Sequence, residues 1–205
     1  MFTGLIDAVG VLDLVNDTAA GRVLSIRARY DDLVVGESIA VNGACLTVRS
    51  IGDGRFDVAA VVTTRDRTAI GTWASGRHLN LERAVRLSDR LGGHMVLGHV
   101  DGVGNVTALE RRGDALLIDI DVPSEVAELL VPHGAIAVDG VSLTVNALTA
   151  PRTLQVSIIE HTERHTTLGD LAVGSAVHLE GDVIGKYVRQ LVAPYRNTGA
   201  HGQGG

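Results

Sequence analysis

The sequence predicts an all-β protein made of two similar small barrels followed by one helix. Three observations lead to this fold class. Segments of the first half recur in the same order in the second half, these segments alternate apolar and polar residues, and a one-sided apolar stretch lies near the end of the chain. Alternation with a period of two is typical of strands, and apolar residues three and four apart are typical of helices.

Three pairs of segments define the repeat. They are GLIDAVG (4–10) with GHVDGVG (98–104), IAVNGACLTV (39–48) with IAVDGVSLTV (136–145), and TRDRTAIGTWASGRHLNLE (64–82) with TERHTTLGDLAVGSAVHLE (162–180). The offset between partners hardly changes from pair to pair, which chance similarity would not produce. Two units are too few for a stacked solenoid, so each unit is expected to close its own core. We expect barrels over 1–91 and 92–181, and a helix with a tail over 182–205.

Short alternating runs predict the strands of each unit. The first unit contains RVLSIRAR (22–29), SIAVNGACLTV (38–48) and RFDVAAVV (55–62), and the second contains LLIDIDV (116–122). About six such strands in each unit favour a closed barrel, which leaves no sheet edge exposed.

Two helices are predicted. PSEVAELL (123–130) starts with the capping candidates Pro123 and Ser124. DVIGKYVRQLVA (182–193) belongs to neither repeat, and its apolar residues share one face. That face needs a cover, either on its own barrel or on other subunits, and we favour other subunits. The last residues, NTGAHGQGG (197–205), predict a frayed tail.

Composition excludes several function classes. The chain has 205 residues, 45% of them hydrophobic, a net charge of −6 and one cysteine. The sequence has no basic stripe that would indicate nucleic-acid binding and no apolar run long enough to predict a membrane span. Its first residues do not resemble a secretory signal. A single cysteine fits a reducing compartment, so a cytoplasmic protein is expected. His94 and His99 lack a third ligand at useful spacing, so no metal is expected.

Five segments together resemble riboflavin synthase of the α-chain type. They are MFTGLI (1–6), VNGACLTV (41–48), GGHMVLGHVDG (92–102), VDGVSLTV (138–145) and DVIGKYV (182–188). The resemblance runs from Met1 to about Leu191 and implies two six-stranded antiparallel Greek-key barrels in a homotrimer held by the C-terminal helix. It further implies a transferase that needs no cofactor, with its active site between the N-barrel of one subunit and the C-barrel of the next.

The implied reaction is a dismutation. One molecule of 6,7,8-trimethyl-8-ribityllumazine transfers a four-carbon unit to a second, which gives riboflavin and 5-amino-6-ribitylaminouracil. One molecule is attacked at C7, and the other loses a proton from its 7-methyl group. Similar pockets with unequal polar groups would meet this requirement, and holding both molecules together removes the entropic cost of their encounter.

The resemblance also implies site residues. The catalytic candidates are Ser38, Cys45, His99 and Asp182. The substrate-binding candidates are Phe2, Thr3, Gly4, Thr47, Thr64, Ser142, Thr144 and Thr162.

The two repeats differ at the polar positions. Counterparts that differ are Ser38 and Ala135, Cys45 and Ser142, Asp182 and Ala84, His99 and Leu5, and Asn42 and Asp139. We interpret the last pair, like Cys45 and Ser142, as a means of treating the two substrate molecules differently. Residue type alone leaves other roles open: Ser38 suits a turn, Cys45 a small buried apolar position, and Asp182 a helix N-cap.

Both predicted ligand loops depart from the family pattern. TTRDRTAIG (63–71) has Thr63 in place of an acid and Arg65 in place of leucine. EHTERHTTLG (160–169) has Glu163 in place of leucine and His165 in place of arginine. These changes leave two alternatives to the enzyme: a lumazine or flavin carrier without turnover, and a paralogue acting on a related pteridine.

Overall fold

The structure, a computed structural model, describes residues 1–196 and contains two closed six-stranded antiparallel barrels. The strand order around the first is β1-β2-β5-β4-β3-β6, and the second repeats this order with its own six strands. The first barrel consists of β1 Ala8–Thr18, β2 Gly21–Arg27, β3 Ser38–Val41, β4 Ala44–Gly52, β5 Arg55–Val61 and β6 His78–Arg83. The second consists of β7 Gly102–Arg112, β8 Ala115–Asp121, β9 Ala135–Val138, β10 Val141–Ala150, β11 Thr153–Ile159 and β12 Ala176–Gly181. The predicted fold class is confirmed.

Alternating burial along the strands explains why each barrel closes. In β5, Phe56, Val58 and Ala60 are buried and the residues between them are not. The inward side chains of each barrel form a separate aliphatic core. A third, smaller cluster lies between the barrels and contains Phe2, Ala40, Val96 and Ala137. Each unit therefore has its own core, as the repeat predicted.

Short helices occupy the connections. They are α1 Val62–Arg67 with a 3₁₀ turn at Ala69–Thr72, α2 Ser124–Ala127, and α3 Glu160–His165 with a 3₁₀ turn at Thr167–Asp170. The helix predicted over 123–130 is only four residues long in the structure. After Ala127 the chain continues in tighter turns, in which the Leu129 amide donates to the Val126 carbonyl and the Leu130 amide to the Ala127 carbonyl.

The long helix α4, Val183–Arg196, starts at the predicted place. Its polar side faces its own chain: Lys186 lies 2.7 Å from Asp101, and Arg189 pairs with Glu128 beside α2. Its apolar side faces outward, with exposed Ile184, Tyr187, Val188 and Leu191. The predicted tail at 197–205 lies outside the described residues.

Two segments cross from one barrel to the other, and we call them the N-terminal strap (1–7) and the middle strap (92–101). The Gly4 carbonyl accepts from the Ser142 amide of the second barrel at 2.8 Å, and the Gly98 carbonyl accepts from the Cys45 amide of the first at 2.9 Å. The straps meet at Phe2 and Val96, which pair as a two-residue bridge. Each barrel is thus covered by a strap that leads into the other barrel.

Candidate ligand-binding sites

The predicted cysteine and threonine of β4 lie on the outer face of the first barrel. Ala44, Leu46 and Val48 point into the core, so Cys45 and Thr47 between them point outward. Ser38 pairs with Thr47 across the β3–β4 hairpin. Three predicted side chains therefore share one patch of the barrel wall.

A cavity of about 550 Å³ opens beside this patch. It brings together the predicted residues Cys45, Thr64 and His99. The α1 loop supplies one wall, and the middle strap supplies the opposite wall. The full lining is Ala44, Cys45, Thr63, Thr64, Arg67, Thr68, Gly98, His99 and Val100. The cavity offers a thiol, an imidazole, hydroxyls and one guanidinium to a polar planar ligand.

The matching region of the second barrel contains Ser142, the counterpart of Cys45. Its Oγ lies 2.7 Å from Nδ1 of His94. Thr144 is exposed two residues along β10, and Thr162 lies in α3. Burial lowers the pKa of His94, and the nearby Asp182 carboxylate partly opposes this effect. The second region thus presents a hydroxyl–imidazole pair where the first presents a thiol.

Asp182 belongs to the second region and not to the cavity beside Cys45. Its Oδ1 accepts from the Ile184 amide at 2.9 Å, so it caps helix α4, and its charge acts on His94. The four predicted catalytic residues are therefore divided within one chain. Ser38, Cys45 and His99 lie at the first barrel, and Asp182 lies at the second.

Two buried glutamates hold the straps in place. Glu82 accepts from the Thr3 amide at 2.6 Å, the Thr3 hydroxyl at 2.7 Å and the Gly4 amide at 2.9 Å. Glu180 accepts from the amides of residues 97, 98 and 99 at 2.7–2.9 Å. Burial raises the pKa of both carboxyls, while these hydrogen bonds act in the opposite direction.

The predicted residues of the N-terminal strap have structural contacts. Phe2 is fully buried, and the Thr3 hydroxyl donates to Glu82 and accepts from the Leu5 amide. Gly4 has φ +76°, and a Cβ there would lie 2.6 Å from that of Ser142. These residues therefore shape the second region chiefly by fixing the strap.

The interpretation of Asn42 and Asp139 as residues that treat the two substrate molecules differently is wrong. Both lie in buried hairpin turns between the barrels, at φ 44°. Asn42 Oδ1 accepts from the Asn80 amide, and Asp139 Oδ1 accepts from the His178 amide, each at 2.7 Å. Their difference belongs to the barrel interface.

The unexpected charges in the ligand loops have partners. Glu163 accepts from both terminal nitrogens of Arg111 on β7, and Arg65 pairs with Asp66. His165 stacks on His161. Arg67 alone among the charged residues of the first loop lines the cavity. Arg65 and Glu163 thus form ion pairs at positions where the family pattern has leucine.

Sequence reasoning missed several residues. Arg67 gave no signal, because a charged loop residue is ordinary. Glu82 and Glu180 did match in the repeat, and a buried acid retained in both copies of a strand could have marked them. Across residues 1–196, no group of three or more His, Cys, Asp or Glu side chains is placed to hold a metal ion, and no helix in that range is long and apolar enough to cross a membrane.

The chain is similar in sequence to several riboflavin synthases. The riboflavin synthase of Bacillus amyloliquefaciens is 40% identical over 200 residues, which cover 97% of this chain and 93% of that protein. That of Bacillus subtilis (strain 168) is 38% identical over 194 residues, covering 94% and 90%. That of Mycobacterium bovis is 40% identical over 202 residues, covering 94% and 98%.

Solved structures show the same fold. LumP complexed with riboflavin superposes with a TM-score of 0.82 at 23% identity, covering 88% of this chain and 99% of that one. LumP complexed with 6,7-dimethyl-8-(1'-D-ribityl) lumazine gives 0.80 at 22% identity over the same shares. The family profile described as Lumazine binding domain matches twice, at 3–84 and 97–182. The chain therefore belongs to the lumazine-binding domain family, among the riboflavin synthases.

Proposed function

We propose that the chain is a riboflavin synthase, a transferase that converts two lumazine molecules into riboflavin and 5-amino-6-ribitylaminouracil. The observation that carries this proposal is 38–40% identity to riboflavin synthases over 94–97% of the chain, including both lumazine-binding domains. The duplicated fold supports it, because a dismutation needs two similar sites.

The substrate named from the sequence needs a correction. N8 of the lumazine ring carries the ribityl chain and has no valence left for a methyl group in the neutral molecule. The lumazine bound in the LumP structure is 6,7-dimethyl-8-(1'-D-ribityl) lumazine. Two molecules of that compound give riboflavin and 5-amino-6-ribitylaminouracil with every atom balanced. We therefore propose 6,7-dimethyl-8-ribityllumazine as the substrate.

The unequal polar groups support unequal roles for the two molecules. The first barrel offers Cys45, His99 and Ser38, and the second offers Ser142 with His94 and Asp182. A carboxylate or imidazole near one ring can take a proton from its methyl group, and a thiol or hydroxyl can hold or attack the other ring. Ser38, Cys45, His99 and Asp182 remain our proposed catalytic residues, and Thr47, Thr64, Ser142, Thr144 and Thr162 our proposed ligand contacts.

We also propose that the protein is a homotrimer assembled through α4 in the cytoplasm. The helix binds its own chain through Lys186 and Arg189 and leaves its apolar side outward, which supports a cover from other subunits. In that assembly the first barrel of one chain would face the second barrel of another. Each active site would then combine the two divided groups of catalytic residues.

A carrier without turnover is the second candidate. The altered loops favour it, because Arg65 and Glu163 place charged side chains where the family pattern has leucine. The high identity to synthases favours the enzyme.

The test is to mix purified protein with 6,7-dimethyl-8-ribityllumazine and follow riboflavin absorbance. We expect riboflavin to form, and we expect Ser38→Ala and Asp182→Ala to slow it by about a hundredfold, the usual scale for a lost acid–base group. Asp182→Asn is the matched control that separates the two roles of Asp182, since asparagine can still cap α4 but carries no charge. Tight binding with no riboflavin would instead establish the carrier.

A further inference from the structure

Two side chains at equivalent positions of β6 and β12 reach across the interface between the barrels. Asn80 is 1% exposed, and its Nδ2 donates to the Asp139 carbonyl of the second barrel at 2.9 Å. Its Oδ1 accepts from the Thr167 amide at 2.7 Å. A single residue of the first barrel thus binds two backbone groups of the second.

His178 makes the reverse connection. It is 2% exposed, and its Nε2 accepts from the Ala69 amide of the first barrel at 2.9 Å. Because Nε2 accepts, the proton of the neutral ring lies on Nδ1, which donates to the Asn42 carbonyl at 2.8 Å. Trp73 stacks on the ring with centroids 5.4 Å apart.

The backbone amides held in this way belong to the ligand loops. Ala69 directly follows Thr68, and the stretch from Thr64 to Thr68 forms a wall of the cavity beside Cys45. Thr167 occupies the same place after Thr162 in the second barrel. Each loop is therefore tied to a side chain that the opposite barrel supplies.

We propose that His178 and Asn80 are positioning residues that act across the barrel interface, His178 fixing the ligand loop of the first barrel and Asn80 that of the second. The inference deepens the proposed function and rests on it for the identity of the ligand. Neither residue lines the cavity beside Cys45, so each acts through the loop that it holds.

We call the His178–Ala69 hydrogen bond the first tie and the Asn80–Thr167 hydrogen bond the second tie. The two ties differ in one respect, because only His178 can take up a proton. Burial lowers its pKa to about 4, so both ties are intact at neutral pH and only the first opens in acid. The groups that face the ring are Trp73, the Asn42 carbonyl, the Ala69 amide, and the ionisable side chains of Arg77 and Asp139 nearby.

The chain offers a reporter for each part of this proposal. Cys45 is the single cysteine and lines the first cavity, so ligand bound there should protect it from a thiol-alkylating reagent. Trp73 is the single tryptophan and stacks on His178, so its fluorescence should follow the state of the tie. Amide exchange of Ala69 and Thr167 reports each tie without any ligand.

The experiment compares His178→Leu and Asn80→Leu with the wild type in the full chain, using 6,7-dimethyl-8-ribityllumazine and riboflavin as probes. We expect His178→Leu to weaken protection of Cys45 by about tenfold, the effect of one lost buried hydrogen bond, and to speed exchange at Ala69 only. Asn80→Leu should leave the protection of Cys45 unchanged, weaken ligand binding at the second barrel and speed amide exchange at Thr167. His178→Asn is the matched control, since Asn80 shows that asparagine at this position reaches the facing loop.

Unchanged exchange at Ala69 in His178→Leu, or equal weakening of both sites in a folded variant, would overturn the proposal. If His178→Leu does not fold, the wild type between pH 7 and 4 replaces it. Trp73 fluorescence should then titrate near pH 4 and stay flat in His178→Asn, and a flat wild-type curve would be the contrary result. A protein that binds lumazine without forming riboflavin refutes only the enzyme, because none of these measurements uses turnover.

Discussion

Asp139 and Asn42 hold equivalent turns, and they differ only in that Asp139 can carry a charge. Burial raises the pKa of Asp139 to about 7, although the His178 amide and Arg77 act in the opposite direction. Between its ordinary pKa and 7, the folded protein binds a proton that the unfolded chain does not. The stability that this proton gives is present in acid and is lost as the pH rises through 7.

Replacing Asp139 by asparagine should remove this loss. Asparagine keeps the oxygen that accepts from the His178 amide, so the turn is preserved. Between pH 6.5 and pH 8, we expect the free energy of unfolding of the wild type to fall by about 1 kcal/mol more than that of Asp139→Asn. His178 stays neutral in this window and does not interfere. Urea unfolding at both pH values measures the effect.

The mirror-image variant is the control. Asn42→Asp should introduce the same alkaline loss at the other turn, because Asn42 is equally buried. A pH dependence that is identical in the wild type and Asp139→Asn would show that Asp139 is charged in the native state.

Individual site residues could be predicted where the repeat or the family pattern marked them. Cys45, Thr64 and His99 do line one cavity. The role of His178 could not be predicted, because it depends on which loop of the other barrel faces this residue. A sequence shows neighbours along a strand but not the contacts between separate barrels.

The β3–β4 and β9–β10 hairpin turns meet back to back. Gly43 and Gly140 both have positive φ, and a Cβ on Gly43 would lie 2.8 Å from the Gly140 amide nitrogen. No side chain fits between these turns, which explains glycine in both copies of the repeat.

Substituting Gly43 by alanine should therefore destabilise the protein in two ways. The left-handed backbone costs about 1–2 kcal/mol for any residue with a Cβ, and the clash with Gly140 costs about 1–3 kcal/mol more. Gly54→Ala is the matched control, since Gly54 has φ +71° and nothing within 4 Å of its Cβ position. Equal loss of stability in both variants, measured by urea unfolding, would mean that the turns can separate freely.

Strands were easier to predict than helices. The alternating runs at 22–29 and 55–62 became β2 and β5 with shifts of only one or two residues. The helix expected at 123–130 was overestimated, because a capped apolar pattern does not show where the chain must turn toward β9. The α1 and α3 loops gave no periodic signal, being too short for one.

The assembly of the whole molecule depends on α4. We expect Leu191→Glu to convert the proposed trimer to monomers, because Leu191 is 71% exposed in the single chain and a buried carboxylate would oppose association. Gln190→Glu adds the same charge at the neighbouring residue and should leave the trimer intact. Deleting residues 183–205 should act like Leu191→Glu.

Sedimentation velocity of the purified variants measures these states. A wild-type monomer would refute the proposed role of α4. The oligomeric state and the domain division at 1–91, 92–181 and 182–205 remain predictions. A single chain shows the exposed apolar side of α4 but not the subunit that would contact it. The two-barrel plan itself followed from the repeat.

The exchanged straps have a consequence for the order in which the protein can be made. Residues 1–7 leave the ribosome before either barrel, but their partner Ser142 follows only after the whole first barrel and half of the second. The first barrel obtains its own strap soon after β6, from residues 92–101. Because domains generally fold as units during synthesis, the first barrel should form early and hold Thr3 and Gly4 through Glu82, while the bond between Gly4 and Ser142 forms later. Phe2 can pack against Ala40 and Val96 as soon as these residues are made, whereas its contact with Ala137 forms only when β9 has followed.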